Sequence, residues 1–439
     1  MNLSNAPRNA DLDPSFAGGI VDLQRLLPAG MQLLAAGPCL VLQDGGVLVG
    51  AALPVPSGNP SLITPLLMKL TTDGTLDRSF GNHNGYVIAD EAVAIESLQQ
   101  LESGNIVVGL LYGDSKTFEM IPLLVGYLPD GTPDVWFNGG QLLITQLPNF
   151  NPSTVPATPP PTPPTPAAHR AILLAFRHRD MQSSAERDYM IQVTALGELD
   201  LAFQQTGYTR VAYAPDVFMR INAFDKRSDG TILVAGQVNR QGALALLTAG
   251  GAIDSTFGDR GFLLIEDGTQ SELTGLFVTA GDTIRVIGRR LLSGKQRWDE
   301  FVRGYDANGV DDAGFTTTYR HYEGDFGAGF GAIASTPTDN YLWCLSNVSR
   351  FAGGNLNAQI LMSRLLPNGQ PDDTFGEDGY WLIPDTYLGR GFAVQNDLKC
   401  IVVVQNQQGS GVYFTAHRYL GSPPAQPPHP RNVTRPIAQ

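Results

Sequence analysis

The sequence predicts an all-β fold, a seven-bladed β-propeller with four antiparallel strands per blade. Three observations predict it. An Asp followed three residues later by Phe recurs seven times, at Asp13/Phe16, Asp77/Phe80, Asp134/Phe137, Asp200/Phe203, Asp254/Phe257, Asp312/Phe315 and Asp372/Phe375. Successive Phe positions lie 64, 57, 66, 54, 58 and 60 residues apart, a period within reach of the longer propeller repeats. Between the copies, apolar runs of strand length alternate with turns, in a chain of 439 residues that holds 49 Gly and 31 Pro; that composition suits many short strands rather than helices.

Each position of the unit has a physical role. Asp73-Gly74, Asp130-Gly131, Asn308-Gly309 and Asn368-Gly369 supply the positive φ that ends a strand in a tight turn. The Asp of D-x-x-F is expected to turn its carboxylate onto backbone N–H groups two or three residues on, as a helix N-cap does. That fixes where the Phe lands, and the sequence predicts a Phe wedged between neighbouring sheets. Gly81, Gly258 and Gly376 follow the Phe, and Gly85, Gly207, Gly261 and Gly379 open the next strand, which lets the chain turn back sharply.

The fullest copies are DGTLDRSFGNHNGYV (73–87), GGAIDSTFGDRGFLL (250–264) and NGQPDDTFGEDGYWL (368–382). The run D-G-x-x-D-x-x-F-G-x-x-G followed by an apolar strand resembles the bacterial delta-60 repeat family. The resemblance covers nearly the whole chain. It departs from type at Asn138, Gln204 and Thr316, which replace the Gly after Phe, and in the first copy, which has no Asp-Gly. It implies a β-propeller-like repeat and brings no catalytic residues with it.

Taken in order, residues 1–8 read as a loose arm and 9–18 as a crossover without a preceding strand. Gly19 to Leu23 is expected to be an inner strand, called a, followed by an apolar run to Gln43, the turn Asp44-Gly45-Gly46, and strands Val47 to Leu53 and Ile63 to Leu70. The second repeat gives strands a to d as Tyr86 to Ala89, Ala94 to Leu101, Asn105 to Leu111 and Ile121 to Leu128. The third is interrupted at 145–170 by a tract with nine prolines, which cannot donate to a sheet ladder and reads as an extended surface loop. The fourth resumes with Arg220 to Lys226, Thr231 to Gly236 and Ala243 to Leu247. The fifth carries a long hairpin, SGKQRWDEF, with Arg297 and Trp298 near its tip, and the sixth places Arg320 and His321 in strand a. The seventh ends with Val412 to Leu420, and residues 421–439 read as a disordered Pro-rich tail.

The ends are complementary: the chain stops after a strand that lacks a crossover and starts with a crossover that lacks a strand. A closed ring over residues 9–420 explains both, with strand a lining the axis and d at the rim; an open solenoid would require capped terminal repeats. Phe16 is therefore expected to touch the last blade.

The formal net charge of −13 argues against nucleic acid or an anionic membrane as partner, since both need a basic surface. No apolar signal segment opens the chain and no stretch approaches a membrane span, so the protein is expected in the cytoplasm, or exported without a classical signal peptide, as a monomer. Cys39, Cys344 and Cys400 lie in apolar strands without C-x-x-C spacing and read as buried thiols. Six histidines show no ligand spacing, and no nucleophile or phosphate-binding motif stands in its required context; no cofactor and no metal are expected.

The residues between the Phe and the following Gly vary from copy to copy: His83 and Asn84, Gln205, Asp259 and Arg260, Glu377 and Asp378. If the crossovers ring one mouth of the axial channel, these residues, with Arg297 and Trp298, are the candidate ligand contacts. At the other mouth Asp90-Glu91, Glu266-Asp267, Glu323 and Asp385 would form an acidic ring. Two functions stay open: a binding or scaffold protein for a protein or carbohydrate ligand, and a glycan-active hydrolase or lyase with carboxylates around the channel. Two carboxylates facing each other across one mouth with raised pKa would favour the second.

Overall fold

A computed structural model describes residues 12–55, 63–89, 94–113, 120–137, 143–144, 172–179, 186–265, 269–294, 297–320, 326–335, 341–352, 355–383, 388–395, 397, 399–408 and 411–420. The arm, the proline tract, the tail and the acidic positions Asp90, Glu91, Glu266, Asp267, Glu323 and Asp385, with His321, lie outside the described residues.

The fold is a seven-bladed, all-β propeller built from antiparallel sheets. Blade 1 runs Ala35–Val41, Val47–Pro54, Ile63–Leu70, Tyr86–Ile88, and blade 2 runs Ala94–Gln100, Ile106–Gly113, Met120–Tyr127, Leu143–Ile144. Of blade 3 the described strands are Ile172–Arg179, Glu186–Val193 and Tyr208–Thr209. Blade 4 comprises Arg220–Lys226, Ile232–Val238, Gln241–Leu247 and Phe262–Ile265; blade 5 comprises Gln270–Val278, Ile284–Leu291, Trp298–Tyr305 and Thr318–Arg320. Blade 6 is Phe326–Ser335, Leu342–Ala352, Asn355–Leu365 and Tyr380–Ile383. Blade 7 takes three strands from the C-terminal end, Leu388–Val394, Cys400–Gln408 and Gly411–Tyr419, and its fourth, Ile20–Asp22, from the N-terminal end. A small hairpin, Ala212–Ala214 with Val217–Phe218, stands between blades 3 and 4; the sequence reading did not anticipate it.

The grouping of strands corrects one expectation. The strand after each D-x-x-F motif does not line the axis; it pairs with the strand before the motif and forms the outer edge of the same blade. The glycine that opens it folds the chain straight back: the amides of Lys69, Gln192, Leu246 and Arg364 donate to the carbonyls of Gly85, Gly207, Gly261 and Gly379 at 2.8–3.1 Å. The axis is instead lined by the strand that comes next, whose neighbours are the corresponding strands of adjacent blades. Gly19 to Leu23, expected inside, accordingly contributes the outermost strand of blade 7.

The motif performs as its chemistry requires. In all seven copies the Phe amide donates to the Asp carbonyl at 2.9–3.3 Å, and the Asp Oδ1 accepts the backbone N–H two residues on at 2.9–3.0 Å. All seven Phe side chains are buried. Six of them lie under the turn glycine of the next blade: a Cβ on Gly74, Gly131, Gly197, Gly251, Gly309 or Gly369 would stand 2.6–3.0 Å from the ring of Phe16, Phe80, Phe137, Phe203, Phe257 or Phe315. These glycines meet two demands at once, a positive φ (82° at Gly131, 83° at Gly309) and room for the wedge. The seventh, Phe375, packs with Cys400, Val402 and Tyr419 of blade 7.

The second carboxylate oxygen of the motif Asp finds a donor that the sequence reading missed. Lys69 reaches Asp77 at 3.0 Å, Arg364 reaches Asp372 at 2.6 Å and Arg418 reaches Asp13 at 2.7 Å, each from the third strand of the same blade. Where that position is Gly126 or Gly304, the donor comes from the start of the second strand or the residue before it: Arg285 to Asp312 and Asn105 to Asp134, both at 2.8 Å.

The ring closes through blade 7. Ile20, Val21 and Asp22 face His417, Ala416 and Thr415, the Asp13 amide donates to the Arg418 carbonyl at 2.8 Å and that of Leu23 to Phe414 at 3.0 Å. Arg418 and Asp13 are 3% and 4% exposed, and the guanidinium lies 4.5 Å from the Phe16 ring centroid. Burial alone would push the Asp13 carboxyl up, but Ser15, Arg418 and Lys399 outweigh it and hold it at about 2.

Beside this seam, Asn406 Nδ2 donates to Thr415 Oγ1 at 2.8 Å, which pairs with His417 Nε2 at 2.8 Å, while His417 Nδ1 meets the Tyr419 hydroxyl at 3.1 Å. Burial lowers the His417 pKa from 6.5 to about 4. The folded state therefore holds this imidazole neutral, and its contribution is fully present above the unfolded pKa and lost as pH falls from about 6.5 towards 4. Denaturation at pH 7 and pH 4 is expected to show a loss of about 3 kcal/mol that is absent from His417→Gln. An equal loss in both proteins would show that His417 is not the group that titrates.

Candidate ligand site at the axial channel

The structure brings few of the sequence-predicted contacts together. His83 and Asn84, Arg260 and Glu377 sit in crossovers between third and fourth strands, so they stand at the outer edge of blades 1, 4 and 6 rather than at the channel mouth. All four are exposed. Arg260 reaches its neighbour Asp259 at 3.4 Å, with side chains 80% and 78% exposed, and the backbone of Glu377 closes its turn with Tyr380 at 2.7 and 3.0 Å. Arg297 and Trp298 have a different setting, at the hairpin between the second and third strands of blade 5, on the side where the axial strands begin.

From Trp298 a polar network leads to the axis. The Arg289 guanidinium lies 4.8 Å from the Trp298 ring centroid and binds Glu272, on the first strand of blade 5, at 2.7 and 3.0 Å. Asn222 of blade 4 donates to Glu272 at 2.9 Å and to the Leu273 carbonyl at 2.8 Å. Across blade 4, Arg177 holds Asp188 bidentately at 2.9 Å and reaches the Ile221 carbonyl at 3.1 Å, while Asp188 accepts the Ile221 amide at 2.6 Å. Charge-assisted pairs of this kind fix the relative positions of blades 3, 4 and 5.

The axial strands share a second feature. Every one that the structure describes carries a register break near its start, between Ala36/Cys39, Ile95/Ser97, Ile221/Ala223, Leu273/Gly275, Ala328/Gly331 and Gly389/Gly391. A β-bulge takes its extra residue out of the ladder and re-aims the side chain. The residues so released are Gly37-Pro38 in blade 1, Glu96 in blade 2, Asn222 in blade 4, Thr274 in blade 5, Gly329-Phe330 in blade 6 and Arg390 in blade 7. In four blades a second-strand glycine stands opposite the bulge, Gly50, Gly109, Gly236 and Gly288, and at Gly236 a Cβ would lie 1.8 Å from the Arg220 carbonyl.

Glu96 and Arg390 are both exposed. The protein around Glu96 disfavours its charged form and raises its pKa above the ordinary value, against the pull of Arg177. Asp225 is also raised by burial, although it accepts the amides of Val278 and Lys226; it lies at the far end of its strand and serves as a tie between blades 4 and 5. No pair of raised carboxylates faces one mouth among the described residues, and no group of three or more His, Cys, Asp and Glu side chains there is placed to hold a metal ion. The three cysteines are free, with Cys344 and Cys400 buried and Cys39 half-buried; burial pushes the thiols of Cys39 and Cys344 up to about 12.

A family described as a β-propeller domain of unknown function, DUF5122, matches residues 227–257. That stretch runs from the first turn of blade 4 through its second and third strands to the wedge Phe257. No sequence match was found among curated proteins. Solved structures similar to this chain include prolyl oligopeptidase B from Galerina marginata, at 11% identity and a TM-score of 0.43, covering 89% of this chain and 48% of that one. Another is the α-L-arabinofuranosidase of Fusarium graminearum, at 10% identity and a TM-score of 0.39, covering 92% and 97%. A eukaryotic initiation factor is similar at 9% identity and a TM-score of 0.32, covering 75% and 65%. The chain thus spans about half the length of the oligopeptidase. Among the described residues no helix is long and apolar enough to cross a membrane.

Proposed function

We propose that this protein is a non-catalytic binding or scaffold protein of the delta-60 repeat type, which presents the mouth of its axial channel to a protein or carbohydrate ligand. One observation carries the reading. The residues that build the blades repeat, as the Asp, the Phe and the turn glycine do, whereas the bulge residues of the axial strands differ among five blades: Gly37-Pro38, Glu96, Asn222, Thr274, Arg390. Function on a common scaffold is a property of such a varied site. Among the described residues Glu272 is committed to Arg289 and Asn222, so it is not free to serve beside Glu96 as the second carboxylate that a glycan-active enzyme needs.

The test is a binding screen on glycan and peptide arrays, run beside a screen of glycosidase and lyase substrates. Binding without turnover is expected, weakened about tenfold or more by Trp298→Ala, which removes the aromatic face and uncovers Arg289. Turnover that disappears in Glu96→Gln would replace this reading with the enzymatic one. A ligand that binds wild type and Trp298→Ala alike would move the site elsewhere.

A further inference from the structure

The bulges of blades 7, 1 and 2 put two opposite charges on either side of one bare position. A Cβ on Gly391 would lie 2.7 Å from the Gly37 carbonyl, and one on Gly37 would lie 3.9 Å from the Ile95 carbonyl. The three axial strands therefore run within backbone contact at this level, and Arg390, Gly37 and Glu96 follow one another around the wall. Blade 1 offers no side chain longer than Pro38 between the two charges. They do not meet. Arg390 is held on the neutral amide oxygen of Gln405, by Nε at 2.9 Å and Nη2 at 2.6 Å, and Glu96 accepts no hydrogen bond among the described residues, its one charged neighbour being Arg177.

A carboxylate and a guanidinium on the two axial strands that flank one bare strand, neither in an ion pair among the described residues, are complementary to a ligand that brings both missing charges. We propose that the channel wall at Gly37-Pro38 binds a short zwitterionic peptide, with its ammonium at Glu96 and its carboxylate at Arg390. This rests on the channel mouth being the ligand site, and it favours the peptide over the glycan, because a neutral sugar satisfies neither charge. Arg390 is suited to the carboxylate end, since the guanidinium fork matches a carboxylate in two parallel hydrogen bonds. Its two bonds to Gln405 Oε1 hold the side chain in place, so little freedom is lost when a ligand arrives.

The experiment is calorimetric titration of the full chain with triglycine, N-acetyl-triglycine and triglycine amide. Free triglycine is expected to bind, and blocking either end to weaken it about tenfold or more. In Glu96→Gln the acetylated and free peptides should bind equally, and in Arg390→Gln the amidated and free peptides should bind equally, each variant losing sensitivity at one end only. Both residues are exposed, so neither variant is expected to unfold; circular dichroism confirms that beforehand. Blocked and free peptides binding alike, end sensitivity unchanged in both variants, or no binding of triglycine overturns the proposal. If triglycine fails while an array ligand still binds in a Trp298-dependent manner, the zwitterion assignment falls and the channel-mouth reading stands. If neither binds, both fall.

Discussion

Deleting residues 1–22 is expected to open the ring. The deletion takes away the fourth strand of blade 7, the Phe16 wedge and the Asp13 partner of Arg418 in one step. Loss of a buried Phe costs about 3–5 kcal/mol, and a buried pair broken from one side costs about the same, because the remaining charge stays uncompensated. The two losses are coupled, since the Arg418 guanidinium lies on the Phe16 ring, so they do not simply add. Even the larger alone approaches the roughly 5–15 kcal/mol by which a domain is stable. The edge of the strand Gly411–Tyr419 would be exposed as well, and unpaired edges invite association. Urea unfolding and light scattering should therefore show a protein largely unfolded or aggregated, while removal of residues 421–439 changes neither reading. Arg418→Met separates the contributions by removing the charge and keeping apolar volume over Phe16; it should cost less than the truncation. A truncated chain as stable as the full one would mean that the N-terminal strand is an accessory.

Phe257→Ala is expected to cost about 3–5 kcal/mol. The ring is 2% exposed and packs in one cluster with Leu246, Leu276, Val286 and Tyr305, spanning blades 4 and 5, and it fills the space that Gly309 leaves open. The cavity would be walled by two rigid sheets, and sheets cannot collapse onto a void as a flexible loop can, which places the effect in the upper part of that range. Denaturant titration checks it through the midpoint at constant slope. A loss under about 1 kcal/mol would show that the wedge does not hold the blades together.

The wedge, the capped crossover and the joining of the two ends were legible because one motif repeats, and a repeat fixes the phase of everything between its copies. The grouping of strands into blades was not legible from the same signal. A strand after a tight connection pairs backward or starts a new sheet, and fourth strands as short as Tyr86–Ile88 or Tyr208–Thr209 carry no alternation to decide between them. That error moved His83, Asn84, Arg260 and Glu377 from the rim to the channel. The bulges did leave a trace: Gly50, Gly109, Gly236 and Gly288 each interrupt a second strand, and an isolated strand glycine marks a bulge or a close backbone approach. Glu96, Asn222 and Thr274 were within reach of that rule. Lys69 and Arg364 stand eight residues before their motif Asp and were visible by spacing, but Arg418 and Asp13 are joined only by the closed ring, so no local window contains both. The hairpin Ala212–Ala214 with Val217–Phe218 had no counterpart in the other copies to align with.

Closure of the ring is tested most directly by one distance. Ile20 and Val412 are both exposed, 43% and 48%, and with Cys39, Cys344 and Cys400 replaced by serine or alanine each accepts a nitroxide label on an introduced cysteine. Ile20 faces His417, five residues along the strand from Val412, so strand geometry places the two backbone positions roughly 18 Å apart. Double electron–electron resonance should give a single narrow distribution near that value, widened by the label arms. A distribution centred beyond about 40 Å, more than twice what the strand geometry allows, would contradict the closed propeller and every assignment of residues to its axis.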